Sequence, residues 1–303
     1  MSMTSSQQNW PDRRILDLFG IELPIIQAPM AGASTAQMAI EVAEAGGLGS
    51  LPCALMAPDQ ARQAIEIIRQ ATSKPINLNF FCHMPPKLDA AEIDRWKQKL
   101  TPYYIENGID PAASVPVSNR APFDDAYCAL VETFKPEVVS FHFGLPVESL
   151  LDRVRAAGAK IISSATTVTE ARWLEERGVD AVIAMGTEAG GHQGNFLSDS
   201  IAGQVGLFAL LPQIVDAVKV PVIAAGGIGD GRGVAAAFIL GASAAQIGTA
   251  YLFSPEAKVQ PYHLQALKTA QAEDTALTNV FTGRPARGIS NRIMREIGPI
   301  SDV

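Results

Sequence analysis

Three of the four histidines in the chain, His83, His142 and His192, fall at or just after short apolar runs. His83 follows PINLNFF, His142 lies inside VVSFHF, and His192 stands in GTEAGGHQGN, directly after AVIAMG. An imidazole titrates near neutrality, so one held at the mouth of a pocket is a natural general base. A single histidine reads equally well as a satisfied structural ring, and only the shared placement of the three favours chemistry. They lack helical i,i+4 spacing and carry no carboxylate in HxE or HxH form, so no metal site is expected. Glu188, in the same loop as His192, reads either as a ligand or as a structural partner of that loop. Ser163, Ser164 and the cysteines have no nucleophile elbow and no base beside them in sequence, which removes nucleophilic catalysis.

Glycine supplies the second chemical signal. In PVIAAGGIGDGRG, Gly226, Gly227, Gly229 and Gly231 let successive backbone amides approach a ligand with no Cβ in the way. The helix that follows offers its N-terminal amides to a phosphate dianion. The segment QIGTAYL adds Gln246, Gly248 and Thr249, a glycine for close approach and a hydroxyl for a hydrogen bond. In GTEAGGHQGN, Gly190 and Gly191 let backbone pass close to a planar ligand and hold His192 on a short exposed loop. Together these point to a phosphorylated ligand.

Eight short apolar runs must position these residues: Pro24–Ala28, Leu48–Pro52, Pro75–Phe81, Val138–Phe143, Lys160–Ala165, Ala181–Gly186, Val220–Ala225 and Ala244–Leu252. They read as strands covered on both faces. Between them lie helical patterns at Thr35–Ala45, Pro58–Gln70, Val147–Ala157, Thr167–Arg177, Gln204–Val218 and Gly231–Leu240. Several units repeat a glycine just past the helix, the left-handed cap that turns the chain into the next strand. Eight such units predict an α/β fold, a (β/α)8 TIM barrel, with its chemistry at the C-terminal ends of the strands. No GxGxxG follows the first strand, which argues against a doubly wound dinucleotide fold. Residues 88–122 are too long for a plain crossover and read as an insertion or lid between strands three and four, with Trp96, Tyr103 and Tyr104 as its packing residues. A further helix is expected near Tyr262–Ala272, ahead of the Gly/Arg-rich FTGRPARGISNRI.

The 303 residues form one barrel domain on this reading, 1–303 with 88–122 inserted. With 24 Lys and Arg against 31 Asp and Glu the formal charge is −7, which argues against nucleic acid as a partner. The N-terminus lacks a secretory apolar core, and no run reaches the ~18 apolar residues of a membrane span. Cys53, Cys82 and Cys128 form no CxxC pair and suit a reducing, cytoplasmic location. A homodimer is compatible with the sequence and is not specified by it.

At PIIQAPMAGAST, VVSFHFGLP, GTEAGGHQG, PVIAAGGIGDGRG and QIGTAYL the chain resembles the nitronate monooxygenase family, FMN-dependent (β/α)8 barrels, from about Leu16 to about Gly298. AGGHxG is shared with FMN-dependent enoyl-acyl-carrier reductases and NADH:quinone reductases, and SFHFGLP is the element that sorts toward the nitronate-oxidising branch. The resemblance implies oxidation of alkyl nitronates, and of nitroalkanes, with O2 to carbonyl compounds and nitrite, a detoxifying reaction. It implies that Ala28, Pro29 and Met30 line the flavin, that Asn79 contacts it and that Gly190 lies beside it. Gly226, Gly227, Gln246, Gly248 and Thr249 would hold its phosphate and ribityl chain. His192 would be the catalytic histidine, removing the α-proton of a neutral nitroalkane, with His142 in the substrate pocket offering a hydrogen bond or charge to the nitro oxygens.

The chain departs from the family pattern in two places. Met185 stands where the family usually has a glutamine that contacts FMN. The family also continues for some tens of residues past NRIMRE, with tyrosine, lysine and tryptophan side chains, whereas this chain ends at Val303. Two other functions are compatible with the shared motifs: an FMN-dependent NAD(P)H reductase acting on quinones or an enoyl thioester, and a flavin-binding barrel without turnover.

Overall fold

The computed structural model describes residues 10–84, 89–113, 121–198 and 200–302. Along these, α1 (Arg14–Phe19) precedes β1 (Ile25–Gln27), followed by α2 (Ala36–Glu44), β2 (Gly49–Pro52), α3 (Pro58–Ala71), β3 (Ile76–Phe81), α4 (Ala90–Glu106), α5 (Asp125–Phe134), β4 (Val138–His142), α6 (Glu148–Ala156) and β5 (Lys160–Ala165). Then come α7 (Val168–Glu176), β6 (Ala181–Met185), the two-residue β7 (Gly191–His192), α8 (Leu207–Ala217), β8 (Val222–Ala225), α9 (Gly231–Ile239), β9 (Ala244–Ile247), α10 (Pro261–Thr269), β10 (Thr275–Thr278), β11 (Ala286–Ile289) and α11 (Arg292–Ile297).

Eight of the strands pair in parallel in the order β1-β9-β8-β6-β5-β4-β3-β2. The ring closes between β1 and β2, where Leu48 N–H donates to the Ile25 carbonyl and Gln27 N–H to that of Leu48, each at 3.0 Å. This is the (β/α)8 barrel that the alternating pattern predicts. The alternation of side chains along each strand splits the core in two. One face of each strand packs against the outer helices, as with Leu78, Phe80, Val139, Phe141, Val182 and Ala224. The other face fills the lumen with Ile26, Val138, Ile162, Ile183, Ile223 and Ala244, and α1 plugs the N-terminal mouth through Ile15, Leu16 and Phe19. Polar side chains cap several helices: Thr35 on α2, Asp124 on α5 and Thr167 on α7.

Two strands stop earlier than their apolar runs. The run Val138–Phe143 ends as a strand at His142, because Phe143 and Gly144 both turn left-handed, at φ 68° and 87°. The run Ala244–Leu252 ends at Ile247, and Thr249–Phe253 winds into a 3-10 turn. Helix α8 starts at Leu207 rather than Gln204, because the carboxylate of Glu188 accepts from Leu207 N–H at 3.0 and 2.9 Å. That settles Glu188 as a structural partner of its loop. The larger departure lies in FTGRPARGISNRI, which holds β11. With β10 and β7 it forms a three-stranded antiparallel sheet outside the barrel. Short-range periodicity gave no sign of it, since β7 has two residues and its partners lie almost a hundred residues away.

The segment expected as an insertion falls partly outside the described residues, and its described part contains α4. No residue of this helix is buried. It is joined to α11 by polar contacts: Tyr103 Oη–H donates to Glu296 at 2.8 Å, and Arg292 bridges Glu106 at 2.6 Å and Glu296 at 2.8 Å.

Gly49 marks the tightest helix–strand approach at the start of the barrel. A Cβ there would lie within 2.8 Å of three backbone atoms of Ala39 in α2. The expected outcome for Gly49→Ala is a loss of about 2–3 kcal/mol in stability, because backbone rather than a flexible side-chain tip must yield. Urea unfolding of both proteins under the same conditions measures it.

Candidate functional site

The period-two alternation that builds the core also sorts the site. Asn79 on β3, Ser140 and His142 on β4, Ser164 on β5, Met185 on β6 and Gln246 on β9 share the strand face that points into the lumen, near the C-terminal ends. Asn79 Nδ2 donates to Ser140 Oγ at 3.0 Å and to its carbonyl at 3.3 Å, which fixes the amide across the β3–β4 pair. Met185 is buried in register with Ala225.

His142 is the junction of this end of the barrel. Its Nε2 lies 3.2 Å from the carbonyl oxygen of His192 and its Nδ1 lies 2.8 Å from Ser164 Oγ. A carbonyl only accepts, so Nε2 carries the proton and Nδ1 accepts from the serine hydroxyl. Burial, reinforced by the neighbouring charge of His192, pushes the His142 pKa down to about 4. The ring is therefore neutral at neutral pH, and both nitrogens are spent on the protein. The expectation that His142 offers a charge to substrate oxygens does not survive this geometry. His142 positions the backbone of His192 instead. Ser164, only 3% exposed, is the hydroxyl that holds the His142 tautomer. No sequence signal joined the two, because they meet across adjacent strands.

Gly194 makes the junction sterically allowed. A Cβ there would meet Ser164 Oγ at 2.5 Å and His142 Cε1 at 2.9 Å. The loop is pinned a second time by the buried carboxylate of Glu170, which accepts from Phe196 N–H and Thr166 N–H at 2.7 Å each and from the Thr166 hydroxyl at 2.8 Å.

His192 lies on β7, paired with Ala286 of β11, and not on a free loop. Its Nε2 is 2.8 Å from Thr282 Oγ1 in the β10–β11 turn. Next to it, Gln193 N–H donates to the Pro285 carbonyl at 2.8 Å, and Arg287 Nε donates to the Thr187 carbonyl at 2.8 Å. The C-terminal hairpin thus clamps the loop after β6 from both sides. At the centre lies Phe143, whose ring centroid is 4.4 Å from that of His142 and 6.1 Å from those of His83 and His192. All three histidines of the predicted rim meet around this one ring. Phe143 holds a left-handed φ that bulky residues rarely adopt. Ser163 supports the turn by donating to the carbonyls of Phe141 and Gly144 at 3.1 and 2.9 Å.

The glycine-rich ends of β8 and β9 form a cradle. Gly226 and Gly227 are left-handed, at φ 107° and 67°, and a Cβ on Gly226 would meet Ala189 N at 2.9 Å. At Gly229 and Gly231 a Cβ would find open space. Among the described residues, the amides of Gly227, Ile228 and Gly229 take no backbone partner, and Gln246 Oε1 is buried without a hydrogen bond. Gly248 faces Ala28 and Met30, and Thr249 Oγ1 stands 3.7 Å from the Cβ position of Gly190. Open amides and an absent wall of Cβ atoms fit a phosphate-bearing group, and the unpartnered acceptor oxygen of Gln246 fits a hydroxyl donor beside it. The N-terminus of α9 differs from expectation. Asp230 caps it, accepting from Arg232 N–H at 2.9 Å and Gly233 N–H at 3.4 Å, and Arg232 holds that carboxyl down to about 2. The free donors are the loop amides ahead of the helix.

A (β/α)8 barrel with a glycine-lined cradle of open amides after its last two barrel strands, and a histidine cluster beside it, defines a cofactor-dependent barrel enzyme. The nitronate monooxygenase family model matches residues 12–301. A nitronate monooxygenase from Paraburkholderia phytofirmans is 44% identical over 280 residues, 92% of this chain and 76% of that protein. One from Pseudomonas aeruginosa is 41% identical over 281 residues, 92% of this chain and 80% of its own length. The crystal structure of a nitroalkane oxidase from Streptomyces ansochromogenes superposes with a TM-score of 0.84 at 41% identity, covering 94% of this chain and 81% of that one. FabK from Thermotoga maritima gives 0.73 at 34%, covering 94% and 76%. The chain belongs to the nitronate monooxygenase family.

The depressed pKa of His142 links the junction to stability. Its folded value of about 4 lies below the unfolded value of 6.5, so between these the unfolded chain binds more protons. Stability is complete above pH 6.5 and falls as the pH drops toward 4, by at most about 3 kcal/mol. Denaturant midpoints measured over this range should show that slope, and His142→Asn should flatten it.

Proposed function

We propose that this chain is an FMN-dependent nitronate monooxygenase that oxidises alkyl nitronates, and nitroalkanes after deprotonation, with O2 to carbonyl compounds and nitrite. The observation that carries the reading is the convergence of His142, His192 and Phe143 beside a cradle with open amides and an unsatisfied Gln246. FMN, when bound, supplies the electron sink for the oxidation. Gly226, Gly227, Gln246, Gly248 and Thr249 would hold its phosphate and ribityl chain. Ala28, Pro29, Met30, Asn79, Met185 and Gly190 would line its ring. Met185 offers that ring an apolar contact where a glutamine would offer a hydrogen bond.

His192 is the general base. Thr282 Oγ1, 2.8 Å from His192 Nε2, holds the ring in place. The α-proton of a neutral nitroalkane passes to this imidazole. His142 keeps the His192 backbone in place. The segment containing α4 acts as a lid, tied to α11 through Tyr103 and Arg292. The chain works as a single barrel domain, with unpaired thiols at Cys53, Cys82 and Cys128 that suit a cytoplasmic location. No helix among the described residues is long and apolar enough to cross a membrane. A role in detoxifying nitronates follows from the reaction.

The likeness to FabK supports one second reading, an NAD(P)H-dependent reductase on the same barrel. Oxygen uptake by the FMN-loaded protein separates the two. An alkyl nitronate without NADH is expected to drive rapid uptake and nitrite release, while NADH bleaches the flavin slowly; the reverse pattern establishes the reductase. His192→Asn is expected to lower turnover of neutral nitroalkane by about 10²–10⁴-fold and to spare the preformed nitronate, which has no proton to lose. Undiminished nitroalkane turnover would remove His192 as the base.

A further inference from the structure

The segment GRPARG, running from the β10–β11 turn into β11, carries two arginines, and the structure uses them differently. Arg287 spends its guanidinium on the protein, donating to the Thr187 carbonyl at 2.8 Å and to Thr275 Oγ1 at 3.1 Å. Arg284 makes no such bond. Its guanidinium carbon lies 4.8 Å from the centroid of the Phe143 ring, the ring around which His83, His142 and His192 gather. Half-buried, it has no hydrogen bond or ion pair from its side chain to any described residue. A partly desolvated guanidinium with no carboxylate is costly to hold, and five donors in a rigid fork remain to be satisfied.

Its position is set by the same contacts that set His192. Thr282, whose hydroxyl meets His192 Nε2 at 2.8 Å, and Pro285, whose carbonyl accepts from Gln193 N–H at 2.8 Å, flank Arg284 in the chain. The cation and the base are therefore registered on each other by the β7–β11 pairing. Packing over an aromatic face holds the guanidinium plane without consuming a donor. A nitronate presents two coplanar oxygens bearing one negative charge, the pattern a guanidinium fork matches.

We propose that Arg284 is the anion anchor of the site: its guanidinium takes the two nitronate oxygens over the Phe143 ring and makes the site selective for the charged substrate. This rests on the nitronate-oxidising reading and adds the group that recognises the substrate. For a preformed nitronate the charge exists on binding, so the anchor contributes to KM. For a neutral nitroalkane the charge develops only as the proton leaves for His192, so the same anchor contributes to kcat.

Nitrate, planar and isoelectronic with the simplest nitronate, probes the anchor without turnover. In calorimetric titrations of the FMN-loaded protein, Arg284→Gln is expected to weaken nitrate binding by about tenfold or more, the scale of one lost charge-assisted hydrogen bond. Arg284→Lys, which keeps the charge and loses the fork, should fall between the two. In steady-state kinetics Arg284→Gln should raise KM for the nitronate with kcat little changed, and lower kcat for the nitroalkane with KM little changed. A merely structural arginine would move all four parameters together. Equal nitrate affinity in wild type and Arg284→Gln, or no nitrate binding by the wild type, overturns the anchor. Nitrate binding that depends on Arg284 in a protein that consumes no nitronate would refute the oxidase reading and leave the anchor standing.

Discussion

The active end of the barrel depends on one small contact, the neutral imidazole of His142 held between a hydroxyl and a carbonyl. Ser164 donates to Nδ1 at 2.8 Å, and Nε2–H donates to the His192 carbonyl 3.2 Å away. Both nitrogens are satisfied in a single tautomer, and the half-buried ring can sit there because it carries no charge. Much else is a consequence of keeping that ring there. The residue at 194 must lack a Cβ, β4 must end at His142, and Phe143 must turn left-handed to bring its ring beside the imidazole. The cost of that turn is offset by the hydroxyl of Ser163, which satisfies the carbonyls on either side of it.

The second constraint is the small sheet outside the barrel. Two residues of β7 cannot hold a strand alone. They pair with β11, which is itself held by β10, so the loop after β6 is ordered by chain from the C-terminal segment. Thr282, Pro285 and Arg287 all reach that loop. His192 is thus positioned from below by His142 and from the side by the hairpin, while Glu170 fixes the loop further along. A side chain on a loop held by three independent anchors loses little orientational freedom when a ligand arrives, which is what the proposed general base needs.

Much of the barrel was legible because its signals are local. Short Val, Ile and Ala runs punctuated by glycine placed all eight barrel strands to within a few residues, and put His142, Met185 and Gln246 at or near the C-terminal ends of those strands. The glycines after β8 and β9 marked the cradle through the absence of Cβ atoms. Three features were not legible. Ser164 was dismissed for want of a base, yet its base lies on the neighbouring strand. The α9 N-terminus was expected to meet a phosphate directly, yet Asp230 occupies its first amides and leaves the loop amides ahead of it open. His192 was placed on an exposed loop, yet it pairs as a strand.

By itself the sequence determined the class of fold, the end of the barrel that carries the chemistry and the residue types available there, because each follows from alternation, helix periodicity and glycine's backbone freedom over a few neighbouring positions. The tertiary structure alone decided which histidine is neutral with both nitrogens bonded, which arginine is spent and which is left over the Phe143 ring, and what holds His192. Those outcomes depend on desolvation and on hydrogen bonds between segments 20 to 100 residues apart, such as His142 with Ser164 at a separation of 22 and Arg287 with Thr187 at 100. No pattern of spacing along the chain encodes such distances, because the fold, once closed, brings the partners together.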